Sequence, residues 1–343
     1  MHPHHLLTQA TTWITELALA DGQRLPAALA ARLGVGVATA RRLVRQLVAL
    51  QWLVADGTPR RPRYRPGPMR QVVCCYALAG LEEDRPWAQD FAPRLDLPPQ
   101  VARLVEHAFT ELVNNAIDHS GGRTVTVSMR QTPHQVQLLV SDDGRGIFDA
   151  IDAGFAISDP AQAMLELAKG KLTSQPARHT GRGLCFTARL ADVFDLHANA
   201  AAFQHVDGRP APWRAVRPAC GQGSAVYVAI RLDTERTLDA VLRQHSLDGQ
   251  GYAFERTVVP LQLAAGANAG LASRAQARRV AARLTQFRRV ELDFAGLDDI
   301  GHGFADELLR VFGHQHPEVQ LVPTNMAPRV AAMVDSVREP QPA

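Results

Sequence analysis

Apolar positions recur at helical spacing through the start of the chain. Residues 6–20 read as an amphipathic helix, residues 26–33 as a short second helix and residues 37–50 as a third, with Gly34-Val-Gly36 as the turn before it. Along the third helix Ala40, Leu43, Leu47 and Leu50 share one face, while Thr39, Arg41, Arg42 and Arg45 lie away from it. The period then shortens. Residues 52–55 begin a strand, Asp56-Gly57 marks a turn, and Arg60-Arg-Pro-Arg-Tyr-Arg65 reads as a basic return strand. Residues 71–79, rich in β-branched and aromatic types, predict a strand, and residues 82–98 a polar connection. Residues 99–120 predict one long helix stopped at Gly121-Gly122. Residues 124–129 and 135–141 alternate and predict a hairpin; residues 183–193 predict a helix and residues 224–231 a strand. Residues 236–250 read as a polar helical linker. Strands at 258–263, 289–294 and 319–322 then alternate with helices at 273–285, 304–312 and 327–337, the order of a small open α/β sheet.

Composition and charge sharpen this outline. A chain of 343 residues predicts two or three domains, and 46% apolar residues suffice for sizeable cores. No apolar run approaches the ~20 residues of a membrane span, and the first residues lack a signal-peptide pattern, so the expectation is a cytoplasmic protein without membrane contact. Cys74, Cys75, Cys185 and Cys220 form no Cys-x-x-Cys pair and are expected as buried, reduced thiols. The net charge of +3 is unevenly spread. Residues 1–70 hold ten arginines and no lysine against Glu16, Asp21 and Asp56, a local balance of +7 that leaves −4 for the remainder. Basic charge concentrated on the third helix and the hairpin points to duplex DNA, through Thr39, Arg41, Arg42, Arg45, Arg60, Arg61 and Arg63.

The candidate chemistry lies in three pieces: Glu111-Leu-Val-Asn-Asn-Ala-Ile-Asp-His-Ser120, Asp142-Asp-Gly-Arg-Gly-Ile147 and Gly181-Arg-Gly-Leu184. Glu111 and Asn115, four residues apart on a helix, put a carboxylate beside a carboxamide, which suits a base next to an oxygen ligand for Mg²⁺. The glycines let backbone approach a nucleotide, and the helix opening at Gly183 favours phosphate. In this order the pieces resemble the GHKL ATPases, which include gyrase-type ATPases, histidine kinases and anti-sigma-factor kinases. The resemblance implies a two-layer α/β sandwich that binds ATP with Mg²⁺. It makes Glu111 the general base, Asn115 the metal ligand and Asp142 the carboxylate that accepts from the adenine amino group. Gly144 and Gly146 shape the adenine pocket, Gly181, Arg182, Gly183 and Leu184 meet the phosphates, and Gly223 and Ser224 support adenine. Residues 155–180 correspond to the variable lid over the nucleotide. Lys169 and Lys171, the two lysines of the whole chain, both fall in it and are candidates for phosphate contact, with Arg178 and His179 as alternatives.

The flanking regions shape the functional expectation. Three helices and a basic hairpin resemble the winged helix-turn-helix of MarR- and GntR-like regulators. The run from Val290 to Leu308 resembles STAS-like domains; Gly301-His-Gly-Phe304 stands where the phosphorylatable antagonists carry serine, so a phosphoswitch is not supported, and Phe304-Ala-Asp-Glu307 resembles a variety found fused to GHKL domains. No His-Glu/Asp-x-x-x-Pro sequence precedes the ATP motifs, which argues against histidine autokinase activity. The domains expected are a winged helix at 1–68, a GHKL domain at 69–235 and a STAS-like domain with a helical linker at 236–343. Together the resemblances imply a cytoplasmic bacterial regulator in which Mg-ATP binding or slow hydrolysis controls domain arrangement on DNA. The alternative they leave open is a protein-serine kinase acting on a separate protein, such as a sigma-factor regulator. Homodimerisation is left open as well.

Overall fold

The helical period at the start of the chain resolves into α1 (Pro3–Asp21), α2 (Leu25–Leu33) and α3 (Val37–Ala49). Pro26 inside the first turn of α2 and the left-handed Gly34 (φ 65) beyond its end fix that helix. Ala10 and Ile14 of α1, Leu25 and Leu29 of α2, and Ala40, Leu43, Val44 and Leu47 of α3 form one core. Burying a Leu or Ile side chain contributes about 1.5–3 kcal/mol, so the shared core rather than helix propensity holds these short helices. Leu50, expected on that face, is exposed, because α3 stops one residue earlier; Trp52 takes its place in the core. Then β1 (Leu53–Thr58) pairs antiparallel with β2 (Arg61–Pro66). Asp56 and Gly57, expected as the turn, instead lie within β1, opposite Arg63 and Pro62. Gly57 stands inside β1 with φ 83, where a Cβ would lie 2.7 Å from Arg61 O.

The computed structural model describes residues 3–58, 60–173, 180–219, 221–265 and 270–338, and the chain divides into two units. The first holds residues 1–118, 122–142 and 227–235. In it β3 (Arg70–Ala77) runs against α1, and the Gln71 N–H donates to the buried Thr15 hydroxyl at 3.3 Å. After a short helical turn α4 (Asp84–Pro86), a π-turn over Trp87–Phe91 brings both rings within 5.6 Å of Phe109. Phe109 belongs to α5 (Pro99–His119), whose buried stripe Leu104, Val105, Ala108, Leu112, Val113 and Ala116 follows the 3.6 period. The strands β4 (Thr124–Gln131) and β5 (Gln135–Asp142) complete an antiparallel β3-β4-β5 order, with Val125, Val127, Met129, Leu138 and Val140 on the buried face.

The second unit holds residues 119–121, 143–226 and 236–343. It begins its regular structure with α6 (Ile147–Phe155), α7 (Pro160–Lys169) and α8 (Gly183–Leu190). Asp159 caps α7 by accepting from the Ala161 N–H at 3.0 Å, with Pro160 at the first helical position. Every residue from Ala163 to Lys169 is buried. The helix expected through Val193 ends at Leu190, and Val193 instead opens β6 (Val193–Ala198), followed by β7 (Ala201–Val206) and β8 (Trp213–Ala215) in antiparallel order. β9 (Ser224–Arg231) passes from the second unit into the first.

A short helix α9 (Leu238–Arg243), capped by Thr237, leads to a parallel sheet. Its strands β10 (Arg256–Pro260), β11 (Arg289–Asp293) and β12 (Gln320–Thr324) lie in sequence order, with Val259 beside Leu292 and Leu292 beside Pro323. α10 (Gln262–Ala265) and α11 (Arg274–Ala281) join the first two; Ser273 and Gln276 close a capping box on α11. α12 (His302–Ala305), a π-turn at Asp306–Val311 and α13 (Phe312–Gln315) join the second and third, and α14 (Pro328–Arg338) ends the described chain.

Candidate functional site

Glu111 and Asn115 lie on α5 one turn apart, and both are half-buried. The Asn115 amide nitrogen is buried without a hydrogen-bond partner among the described residues. Asp142 ends β5 opposite Val125, where the strand gives way to the glycine loop, and is half-buried. These three polar groups belong to the first unit.

In the second unit the Asp-x-Gly-x-Gly loop is held on both sides. A Cβ at Gly144 would lie 2.3 Å from the Ser120 carbonyl oxygen, and the Arg145 N–H donates to that oxygen at 3.0 Å. Gly146 has φ 89, and a Cβ there would strike the Asn199 carboxamide. Asn199 donates to the Arg145 carbonyl at 2.8 Å and to Asp149 at 2.7 Å. Ser224 accepts from the Ile147 N–H at 3.0 Å, so the Gly223-Ser224 step and the Gly144–Gly146 loop meet at the N-terminus of α6. Asn199 is absent from the sequence-based site; it stands at the β6–β7 turn with a left-handed φ of 48, a conformation Asn tolerates, and its contacts to Arg145 and Asp149 come from more than forty residues away.

Gly181, Arg182, Gly183 and Leu184 stand at the start of α8. A Cβ on Gly181 would lie 2.6 Å from Leu172 O, so the segment after α7 packs directly on this loop. The Arg182 guanidinium lies over the Phe254 ring at 5.4 Å, and its buried Nε has no partner among the described residues. Burial pulls the Arg182 pKa below its ordinary value.

The two lysines take separate places. The Lys169 ammonium is buried, and its three N–H groups donate to Glu166 Oε1 at 2.6 Å, Val280 O at 2.9 Å and Ala282 O at 3.0 Å. Its donors are thus all satisfied by protein, because a buried cation must be paired; in this arrangement none remains for a phosphate. Arg283 reaches Glu166 Oε2 at 3.7 Å, and Gln162 bridges Glu166 to the Arg279 carbonyl. Burial lowers the Lys169 pKa, and Glu166 opposes that fall. Lys171 is half-buried and left-handed, with φ 61. It donates to Gln286 O at 2.6 Å and lies 4.4 Å from the Phe287 ring centroid and 5.6 Å from that of Phe254. Arg178 and His179 lie outside the described residues, as does Cys220. Of the other cysteines, Cys185 is buried, Cys74 half-buried and Cys75 exposed, since neighbours on β3 face opposite sides; the expectation of uniform burial is corrected at Cys75.

Toward the N-terminus, Arg41, Arg42 and Arg45 on α3, and Arg60, Arg61 and Arg63 around β2, are exposed with no acidic partner in salt-bridge range among the described residues; Thr39 is half-buried beside them. Arg65 differs by pairing with Asp56 at 3.3 Å. Toward the C-terminus, Asp306 and Glu307 are held internally: Arg274 and Arg310 bind Asp306, and Arg278 binds Glu307 at 2.6 Å. Among the described residues no helix is long and apolar enough to cross a membrane.

No cluster of three or more His, Cys, Asp or Glu side chains that could hold a metal occurs among the described residues. A Mg²⁺ here would draw on the Asn115 carboxamide oxygen and on phosphate oxygens of its ligand, a usual arrangement for this hard cation. Family models match two stretches of the chain. One described as a histidine kinase-like ATPase domain covers residues 77–202, and one described as a STAS-like domain of unknown function covers residues 276–331. No curated protein matches the chain. Residues 77–202 are therefore a histidine kinase-like ATPase domain, which implies ATP binding, and residues 276–331 are a STAS-like domain.

Proposed function

We propose that this protein is a Mg-ATP-dependent regulator that binds duplex DNA through residues 1–68, used as a winged helix, with ATP occupancy or slow hydrolysis setting how its domains are arranged. The observation that carries the nucleotide part is the bond from the Ile147 N–H to Ser224, which joins two separately expected adenine elements at one loop. On this reading Asp142 accepts from the adenine amino group, and the backbone N–H groups at Gly181 and Gly183 meet phosphate. Asn115 holds the cation that neutralises the phosphate oxygens, and Glu111 orients and deprotonates the attacking water. The DNA part is supported by the exposed arginines of α3 and β2 and by the +7 balance of residues 1–70.

The test is incubation of the full chain with γ-labelled ATP and Mg²⁺, with and without duplex DNA. Label released as phosphate, together with a nucleotide-dependent change in DNA affinity, is the expected result, since the two ligands must affect each other reciprocally. Label on a protein side chain replaces this reading with that of a protein kinase. DNA affinity that ignores nucleotide removes the regulator.

A further inference from the structure

Lys169, at the end of α7, and Lys171, just beyond it, link the ATPase domain to the STAS-like domain in two different ways. Lys169 is a fixed anchor. Its ammonium is enclosed by Glu166 and by two carbonyls at the end of α11, and its own carbonyl accepts from Thr257 of β10 at 2.7 Å. Lys171 is held differently, by the Gln286 carbonyl and the faces of Phe254 and Phe287, with no carboxylate in salt-bridge range among the described residues. Its backbone is in the left-handed region, a strained conformation for a non-glycine residue.

Two further contacts connect Lys171 to the phosphate loop, and a third ties it to the end of α11. Its neighbour Leu172 packs against Gly181. Arg182 lies over the same Phe254 ring, so two cations converge there. The Lys171 carbonyl accepts from Arg283, which ties this strained residue to the end of α11. Burial and the nearby Arg182 both lower the Lys171 pKa, and Glu255 only partly offsets them. An anion arriving at Gly181–Gly183 would relieve that repulsion, and it would offer Lys171 a stronger, charge-assisted acceptor than a carbonyl.

We propose that Lys171 is a two-position cation: it clasps the lid segment to the STAS-like domain at Gln286 and Phe287, and nucleotide phosphate draws it away, so that ATP binding and this docking are antagonistic. The inference rests on the ATP-binding reading and adds its output. Lys169 keeps α7 attached to α11 while the contact around residues 284–287 opens.

The experiment is hydrogen exchange on the full chain with and without Mg-ATP, while ATP binding is measured separately by equilibrium dialysis of labelled nucleotide. Expected is faster exchange at residues 284–290 on saturation, by about fivefold or more, the low end of ordinary coupling, with β12 unchanged as internal control. Lys171→Met should abolish that acceleration. Phe287→Leu, which keeps an apolar side chain but removes the ring, should tighten ATP binding by a few-fold, to about fivefold. Should Phe287→Leu fail to fold, the wild-type and Lys171→Met exchange data decide alone. ATP bound with exchange at 284–290 unchanged or slowed, or accelerated equally in β12, overturns the antagonism and leaves the ATP reading standing. No ATP bound in the dialysis overturns that reading and the inference with it.

Discussion

Lys169 Nζ and Glu166 Oε1 meet at 2.6 Å with both side chains at most 2% exposed, so two full charges of α7 are enclosed between that helix and the end of α11. Removing one partner strands the other. Lys169→Met leaves Glu166 with Arg283 at 3.7 Å and the neutral Gln162 amide at 3.0 Å, and should lower unfolding free energy by about 3–5 kcal/mol. Replacing the pair together, as Glu166→Leu with Lys169→Met, should recover most of the loss, because apolar groups of similar size need no compensation for desolvation. Chemical denaturation of the two variants checks this; equal destabilisation by both removes the ion pair as the cause.

Acid should destabilise the second unit through two histidines. His245 lies between Phe186 and Phe254, donates from Nδ1 to the Arg256 carbonyl at 2.8 Å, and has its pKa pulled down to about 3 by burial. His205, packed on Trp213 at 4.8 Å, is pulled down to about 4, also chiefly by burial. Both are neutral in the fold at a pH where the unfolded chain binds a proton, so their contribution is intact above about pH 6.5. It is lost as pH falls toward 4, by about 1.4 kcal/mol per pH unit for each histidine. Denaturation midpoints between pH 7 and 4.5 read this slope. His245→Phe should flatten it by about one proton's worth; an unchanged slope dismisses His245 as a source.

How far these features can be read from the sequence depends on the range of the interactions behind them. α5 is legible because its buried residues repeat at 3.6 spacing and Gly121-Gly122 ends the pattern. β4 and β5 are legible because one face is buried and the other is not. β6, β7 and β8 escape the pattern: β6 alternates over only six residues, the adjacent Gln204 and His205 break the alternation of β7, and β8 has three residues. α7 merges into a variable lid in the sequence because its polar stripe, Gln162, Glu166 and Lys169, reads as a solvated face, whereas Glu166 and Lys169 are buried and bonded to partners distant in the chain. Composition singles out Lys169 and Lys171, and helical spacing offers Glu166 to Lys169, but the carbonyls they bond lie more than a hundred residues away, at Val280, Ala282 and Gln286, which local spacing cannot reveal. The adenine-loop glycines are legible as residue types, whereas the collisions that require them come from Ser120 and Asn199.

Glu111 and Asn115 should separate turnover from binding. Glu111→Ala removes the general base and should lower phosphate release by about 10²–10⁴-fold while ATP is retained. Asn115→Ala should instead remove the Mg²⁺ dependence of ATP affinity, because the carboxamide oxygen is the expected metal ligand and the helix keeps its buried apolar stripe. Phosphate-release rates and ATP titrations with and without Mg²⁺ distinguish them. Normal release from Glu111→Ala would show that another group serves as base.

The arginines of α3 should register as salt dependence. Each phosphate that an arginine no longer neutralises lowers the magnitude of the slope of log K against log salt by about one. Combining Arg41→Ala, Arg42→Ala and Arg45→Ala should thus cut the slope by about three without disturbing the core beneath, since all three side chains are exposed and Ala40, Leu43, Val44 and Leu47 supply the packing. Fluorescence anisotropy on a duplex over a salt series measures it. A slope that survives the triple variant removes α3 from the DNA surface.

Two glycines make opposite forecasts for the same added methyl. At Gly313 nothing lies within 4 Å of a Cβ, and the residue sits in helix α13, so Gly313→Ala should be neutral or stabilise by up to about 1 kcal/mol. At Gly144 the methyl would lie 2.3 Å from the Ser120 carbonyl oxygen, and that oxygen is itself held by the Arg145 N–H at 3.0 Å. The obstacle is backbone, so the loop must move and the Arg145 bond must break; overpacking of this kind costs about 1–3 kcal/mol. Because the displaced loop runs directly from Asp142 to the start of α6, Gly144→Ala should weaken ATP binding by about tenfold or more. ATP titration alongside thermal unfolding of both variants checks the pair. Full ATP affinity in a folded Gly144→Ala protein would show that this loop does not shape the nucleotide pocket.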